Sequence, residues 1–447
     1  MQKCSRYGVW EVFKFALPMI LTALSMSLMF NVDRMVLAHY SIDSMNAAAL
    51  AGNFVAMAGF VFISIAQIAT VFVGQYNGLG EHHKTGWASW QMIYWGLASF
   101  LVFIPLGIYC HHLNIFPACY EKEGLEYLRI LITFSGMQVI ASALSAFFIG
   151  RGKSFIIVCV VFLVNMVNFV ANLALVFGIP NLIEPMGIRG SATATAIGQS
   201  LHVLILLAVF LNSENRKKYS THDNKFRWKV FVSCVKTGFP LSCGKVLSLL
   251  GWFVILEVFN RTSKDLATLE AFSISIWIIF IFFAEGGGRA LSSLGANLIG
   301  ENNLPEIKKL LRWFLAMNLV LGAAFSIPLV FYQDMMFWFL DGVNGDLSHL
   351  HLEFQFLFVS MWIMIFSDGI FYTVCGVLNS GGDTKFPMCL ELLTLWLGGV
   401  IPTVLLYATG NLTSIRLTYT LLPIGGIINA VVSYRRYTQL KWFNRLV

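Results

Sequence analysis

Four polar residues stand inside long apolar runs of the first half of the chain: Asp33 in NVDRMVLAHY, Asn168 and Asn172 in NMVNFVANLAL, and Thr195 in GSATAT. Together they offer a carboxylate, two amides and a hydroxyl. Such an oxygen-rich set suits a proton or a hard cation such as Na⁺, and it can also hydrogen-bond a cationic organic compound. Asn168 and Asn172 are four residues apart, so a helix places both amides on one face. Taken singly, each amide also fits the ordinary role of bonding across packed helices, and Asp33 has Arg34 beside it as an ion-pair partner. A carboxylate in mid-span costs about 2.5 to 3.5 kcal/mol on membrane-insertion scales, so Asp33 requires a compensating environment.

The second half carries a related set. Asp368 lies in IMIFSDGIFYTV, and its counterpart under an internal repeat is Gln138 of FSGMQVI. Glu285 and Arg289 in FFAEGGGRAL are spaced for an intrahelical ion pair. The three glycines between them weaken a helix by about 1 kcal/mol each, which suggests a bend or a close helix contact. The pair is either a neutralised structural element or part of a gate or substrate site. Glu257, Lys245 and Glu391 are read as structural, their long side chains reaching toward water.

The elements that hold these groups follow from composition. Of 447 residues, 57% are hydrophobic and 12% charged, which leaves too little polar surface for a water-soluble globule. Apolar runs of about 20 residues recur along the chain, the length a helix needs to cross a bilayer core. They lack the alternation of a membrane barrel, so the spans are helical. Twelve are expected, the second at 46–73 and the eighth at 267–296 among them. The first run carries Pro18 and Asp33 and no small-residue cleavage site, so the amino terminus is expected to be retained. At 1.5 Å per residue, Asp33, Asn168, Asn172 and Thr195 fall at one depth in the outer half of the membrane.

The net charge of +7 is a topology signal rather than a nucleic-acid footprint. Nineteen lysines and arginines fall in segments on one side, Arg151, Arg216, Lys217, Lys218 and Arg435 among them, against Lys122, Arg189, Arg261 and Lys264 on the other. That bias places both termini in the cytoplasm of an inner-membrane protein. The eight cysteines show no metal-ligand spacing and read as small apolar residues. Aromatic residues, at 15%, suit interfacial belts and a chamber for flat organic cations alike.

The polar stretch 212–229 lies near the midpoint and reads as a cytoplasmic linker between an amino-terminal six-helix bundle, 1–211, and a carboxy-terminal one, 230–447. Moving the first half by 222 positions lays Lys14 and Pro18 on Lys236 and Pro240, and Gly78 on Gly300. A shift of 230 lays GRGKS (150–154) on SGGDT (380–384). Both copies run the same way, an arrangement found in transporters whose pathway lies between repeats.

The order of these motifs resembles the multidrug and toxic compound extrusion (MATE) family across essentially the whole chain, and its NorM-like branch in particular. The motifs are ALPMI, NVDRMVLAHY, GQYNGLGE, GRGKS, the paired asparagines, GSATAT and SGGDTKFP. The resemblance implies an all-α membrane protein of two like-oriented six-helix bundles. It implies export of amphiphilic or cationic organic compounds in exchange for H⁺ or Na⁺, with no cofactor, no nucleic-acid partner and a monomeric state. Asp33, Asn168, Asn172 and Thr195 match polar positions of the family's amino-terminal lobe, and Asp368 matches a cation-site aspartate, a possible Na⁺ ligand, in the other lobe. One departure stands out. The branch usually has a glutamate about eight residues after the seventh-span proline, where this chain has Ser248 after Pro240. Glu257 and Glu285 are left as alternative substitutes. With a single carboxylate in each lobe the residues favour H⁺ coupling through Asp33, and Na⁺ remains the alternative. Two other functions stay open: a lipid-linked precursor flippase of the wider superfamily, and an intramembrane enzyme, which has neither an HExxH motif nor an aspartyl-protease motif to support it.

Overall fold

The computed structural model describes residues 8–113, 116–117, 121–331, 350–443 and 446–447. In lipid every backbone N–H and C=O must find a partner within the protein, and helices supply it locally. The helices are α1 (Val9–Tyr40), α2 (Ile42–Gln67), α3 (Ala69–Gly78), α4 (Thr85–Ile108), α5 (Glu121–Gly150), α6 (Ser154–Phe177), α7 (Ile188–Phe210) and α8 (Ser213–Tyr219) in the first half. The second half has α9 (Trp228–Thr262), α10 (Lys264–Gly300), α11 (Leu304–Phe331), α12 (His351–Ser380), α13 (Lys385–Leu395), α14 (Ile401–Ala408) and α15 (Arg416–Thr438).

Among the described residues, nine helical stretches are long and apolar enough to cross a membrane. Helices α1, α10 and α11, of 32, 37 and 28 residues, complete the twelve expected spans. Two spans are longer than the apolar pattern suggests. The second runs Ile42–Gly78, with α2 passing almost directly into α3, and the eighth runs to Gly300, because helix continues into the polar turns on either side. The eleventh span is interrupted: a π-turn at Trp396–Val400 separates α13 from α14 and carries Gly398 and Gly399. Hydropathy does not reveal that turn.

The internal repeat reappears in individual hydrogen bonds. Ser41 caps α2 through Ser44 N, and Ser263, 222 positions on, caps α10 through Leu266 N. At the other end of these spans Glu81 N bonds Tyr76 O at 3.0 Å, and Asn303 N bonds Leu298 O at 2.9 Å. The turns GRGK and SGGD also agree. Gly152 and Gly382 hold φ of 77° and 82°, a left-handed conformation that glycine adopts without strain. Lys153 N bonds Phe148 O at 2.9 Å, and Asp383 N bonds Leu378 O at 3.1 Å.

By packing, the described chain forms two units. One holds Leu21–Ser242 with the last residues of the chain, and the other holds the described residues up to Ile20 together with those from Cys243 to Phe443. Both cuts fall inside helices, two residues after Pro18 in α1 and Pro240 in α9, where proline removes an intrahelical hydrogen bond. The stretch 212–229 is more ordered than a polar linker requires. Asn212 caps α8 through Asn215 N at 2.8 Å. Beyond α8 the backbone carbonyls of Thr221 and Lys225 accept from Trp90 Nε1 at 2.8 Å and Gln91 Nε2 at 3.2 Å, so α4 satisfies groups that a loop would otherwise leave to water.

Candidate functional site

In the unit built from Leu21–Ser242, Asp33 on α1 is 1% exposed. Asn172 Nδ2 on α6 donates to its Oδ1 at 2.5 Å, and Thr195 Oγ1 on α7 donates to its Oδ2 at 2.9 Å. Asn168 Nδ2, one turn before Asn172, donates to Thr195 Oγ1 at 3.3 Å. The four residues singled out by type and spacing therefore form one chain of hydrogen bonds across three helices. Thr195 accepts from the amide and donates to the carboxylate, which uses its single hydroxyl proton in one direction.

Small residues make this approach possible. Helix α7 begins IRGSATATAIG, and a Cβ on Gly190 would lie 2.5 Å from Leu175 O of α6. A Cβ on Gly198 would rest against Asn168 Cβ at 3.4 Å. Close backbone contact between α6 and α7 is what brings an amide and a hydroxyl to the same carboxylate. Arg34 does not pair with Asp33. It donates to Asn53 Oδ1 on α2 at 3.2 Å, because consecutive helix residues point about 100° apart. Gln138, the counterpart of Asp368 under the repeat, lies half-buried on α5. Asn172 Oδ1 is buried without a hydrogen-bond partner among the described residues, an acceptor open to a proton or a cation held at Asp33.

The other unit holds a recess with about 460 Å³ of free space, its open mouth included. Asp368 and Tyr372 of α12, Glu391 and Thr394 of α13, Asn429 of α15 and the aromatic rings of Trp252, Trp277 and Phe371 contribute to its walls. Trp277 Nε1 donates to Asp368 Oδ2 at 2.9 Å. Glu391 Oε1 accepts from Tyr372 OH at 3.3 Å and from Ser248 Oγ of α9 at 3.4 Å. A carboxylate from α13 thus faces the serine that stands where the NorM-like pattern has a glutamate. Glu257 is engaged elsewhere, with Arg261 Nε at 2.6 Å from its Oε1.

Glu285 and Arg289 form the expected ion pair at 2.9 Å, and Lys245 joins it, its Nζ 2.9 Å from the same Oε1. The glycines between them serve close contact rather than a break. A Cβ on Gly288 would meet Tyr372 O at 2.7 Å, and one on Gly376 would meet Gly288 O at 2.4 Å, so α10 and α12 touch backbone to backbone. Sequence reasoning assigned Lys245 and Glu391 to solvent-seeking structural roles, whereas Lys245 pairs with Glu285 and Glu391 accepts from Tyr372 and Ser248. It overlooked Glu270 altogether. That residue is 0% exposed and accepts from Tyr419 OH at 2.8 Å, while its Oε1 has no hydrogen-bond partner among the described residues. The signal available was a carboxylate a few residues into an apolar run. Among the described residues no group of three or more His, Cys, Asp or Glu is placed to hold a metal ion, so a bound Na⁺ would draw on hydroxyl and amide oxygens as well.

Residues 18–174 and 245–405 match the family model described as MatE. Among curated relatives, a probable multidrug resistance protein NorM of Thermotoga maritima is 22% identical over 394 residues, covering 86% of this chain and 83% of its own length. A probable multidrug resistance protein NorM of Agrobacterium fabrum is 24% identical, covering 85% and 83%. A solved outward-facing structure of a multidrug resistance MATE family transporter of the MOP superfamily superposes with a TM-score of 0.81 at 13% identity and covers 96% of each chain.

Proposed function

This chain belongs to the MatE family, and from that premise we propose that it is a secondary active antiporter exporting amphiphilic or cationic organic compounds in exchange for H⁺ or Na⁺, with Asp33 as the leading coupling residue. Its membership makes it a multi-pass membrane transporter of the NorM-like MATE kind. The observation that carries the finer reading is the enclosure of Asp33: a carboxyl group at 1% exposure, bonded by Asn172 and Thr195 and facing no cation within ion-pair distance among the described residues. A group so placed gains from taking up a positive charge, whether as a proton or as a metal ion.

Coupling requires that the cation and the exported compound bind two conformations with different affinities. Moving one charge through 100 mV supplies about 2.3 kcal/mol, so one or two charges sustain a useful gradient of exported compound. The two moving bodies in this reading are the bundles 1–211 and 230–447, joined through 212–229, with both termini in the cytoplasm of the inner membrane. H⁺ is the preferred coupling ion, because Asp33 is the single carboxylate of its cluster and a lone carboxylate surrounded by amides and a hydroxyl discriminates poorly between Na⁺ and a proton. Asp368 contributes to substrate or to a secondary cation site, Na⁺ included. Gln138, Glu285 and Arg289 lie in substrate or gating positions. The protein works as a monomer and needs no cofactor.

The deciding experiment is efflux of a fluorescent organic cation from proteoliposomes under imposed H⁺ or Na⁺ gradients. Concentrative transport driven by one of them supports antiport. A protein that instead moves lipid-linked precursors across the bilayer, with no response to either gradient, is the flippase alternative.

A further inference from the structure

In and beside the recess of the second unit the carboxyl groups outnumber the cationic side chains. Three carboxylates stand in or beside it, Asp368, Glu391 and Glu285, and two cations, Lys245 and Arg289. Their distribution is uneven. Glu285 receives both cations on one oxygen, each at 2.9 Å, whereas among the described residues Glu391 has only two neutral hydroxyl donors, at 3.3 and 3.4 Å. Asp368 has a single indole N–H. Lys245 is nonetheless close by: its Nζ sits 5.8 Å from the centre of the Tyr372 ring whose hydroxyl donates to Glu391.

We propose that Lys245 is a tethered counter-cation shared between Glu285 and Glu391, and that an aromatic organic monocation entering the recess between Asp368 and Glu391 competes with it. This rests on the reading of the recess as a cation site.

Three physical points lead to it. An ammonium on a four-carbon stem can move several ångströms by rotamer changes alone. Its departure does not strand Glu285, because Arg289 remains bonded to the same oxygen. Its arrival at Glu391 replaces weak neutral bonds with a charge-assisted one, which is about twice as strong. A ligand cation takes the same position with aromatic surface in addition: Trp252 and Trp277 lie 5.3 Å apart, centre to centre, and Phe371 and Tyr372 complete four aromatic walls. Such walls stabilise a cation through their π faces. Lys245 then sets how tightly such a monocation is held.

The test is equilibrium binding of ethidium to the full-length protein in detergent, at fixed pH and ionic strength and without a gradient, each variant first checked for a single elution peak and a cooperative melt. Lys245→Met removes the competitor and tightens ethidium binding by about 5-fold, the low end of ordinary coupling between sites. Lys245→Arg keeps the charge and restores affinity close to that of the unaltered chain. Glu391→Gln weakens binding by about 10-fold and abolishes the gain from Lys245→Met, since the two then no longer interact. The proposal is overturned if the unaltered chain binds no ethidium, if Lys245→Met leaves affinity the same or lower, or if its gain survives in the Glu391→Gln background. Gradient-driven efflux is a separate measurement: its absence counts against antiport, whereas these equilibrium constants decide the assignment of Lys245.

Discussion

Asn172 Nδ2 lies 2.5 Å from Asp33 Oδ1, a contact between residues 139 positions apart that joins α1 to α6 inside the first unit. Thr195 bonds the other carboxylate oxygen, so neither oxygen of Asp33 is without a donor. This arrangement both tolerates a buried acid and keeps it the sole titratable member of its hydrogen-bonded set.

Asp33→Asn preserves size and polarity and is expected to leave the protein folded while abolishing gradient-driven export. The check is proteoliposome efflux alongside a melting curve. Undiminished concentrative export by a well-folded variant would remove Asp33 from the coupling role.

Thr195→Val deletes the donor to Asp33 Oδ2 and the acceptor of Asn168 Nδ2 at nearly constant volume. Leaving buried polar groups unsatisfied costs about 1 to 3 kcal/mol, and a loss of thermal stability of that order is expected together with an altered pH profile of export. Thr195→Ser retains the hydroxyl and should recover the profile. A Thr195→Val protein with unchanged pH dependence would show that the hydroxyl does not tune the carboxyl group.

Export is expected to persist in Na⁺-free vesicles under an inward proton gradient, and Asp368→Asn to weaken it less than Asp33→Asn does. Transport that required Na⁺, survived Asp33→Asn and vanished with Asp368→Asn would move coupling to the second unit.

Gly288→Ala and Gly376→Ala place a methyl group against backbone across the α10–α12 contact, and overpacking of this kind costs about 1 to 3 kcal/mol. Gly52→Ala on α2 meets nothing within 4 Å and is expected to be neutral or stabilising by up to about 1 kcal/mol. Melting temperatures in one detergent compare all three. Equal effects would deny that the α10–α12 approach is tight.

A reporter fused after Val447, or inserted near Ser220, is expected to report the cytoplasm. Periplasmic labelling at both positions would invert the orientation and every depth assigned from it.

The twelve spans, the half-repeat and the membership of the Asp33 cluster were legible in the sequence. Span length and apolar periodicity are local properties imposed by the bilayer, and the repeat preserves turn residues such as Gly152 and Gly382 whose backbone geometry depends on residue type. The cluster was legible because polar groups are rare in apolar helices, so Asp33, Asn168, Asn172 and Thr195 could be matched by depth alone. Depth could not tell which of two acceptors a side chain meets: Arg34 turns to Asn53 and not to Asp33. The second unit was decided by tertiary structure. Lys245, Ser248, Glu285, Tyr372 and Glu391 come from four helices, and their pairing depends on azimuth about each helix axis and on backbone approach at Gly288 and Gly376. Lys245 and Glu391, each seen along its own span, fit a side chain reaching for water. Only the packing of α9, α10, α12 and α13 shows that Lys245 meets Glu285 and that Glu391 meets Ser248 and Tyr372, because a contact between helices leaves no periodic trace in either one.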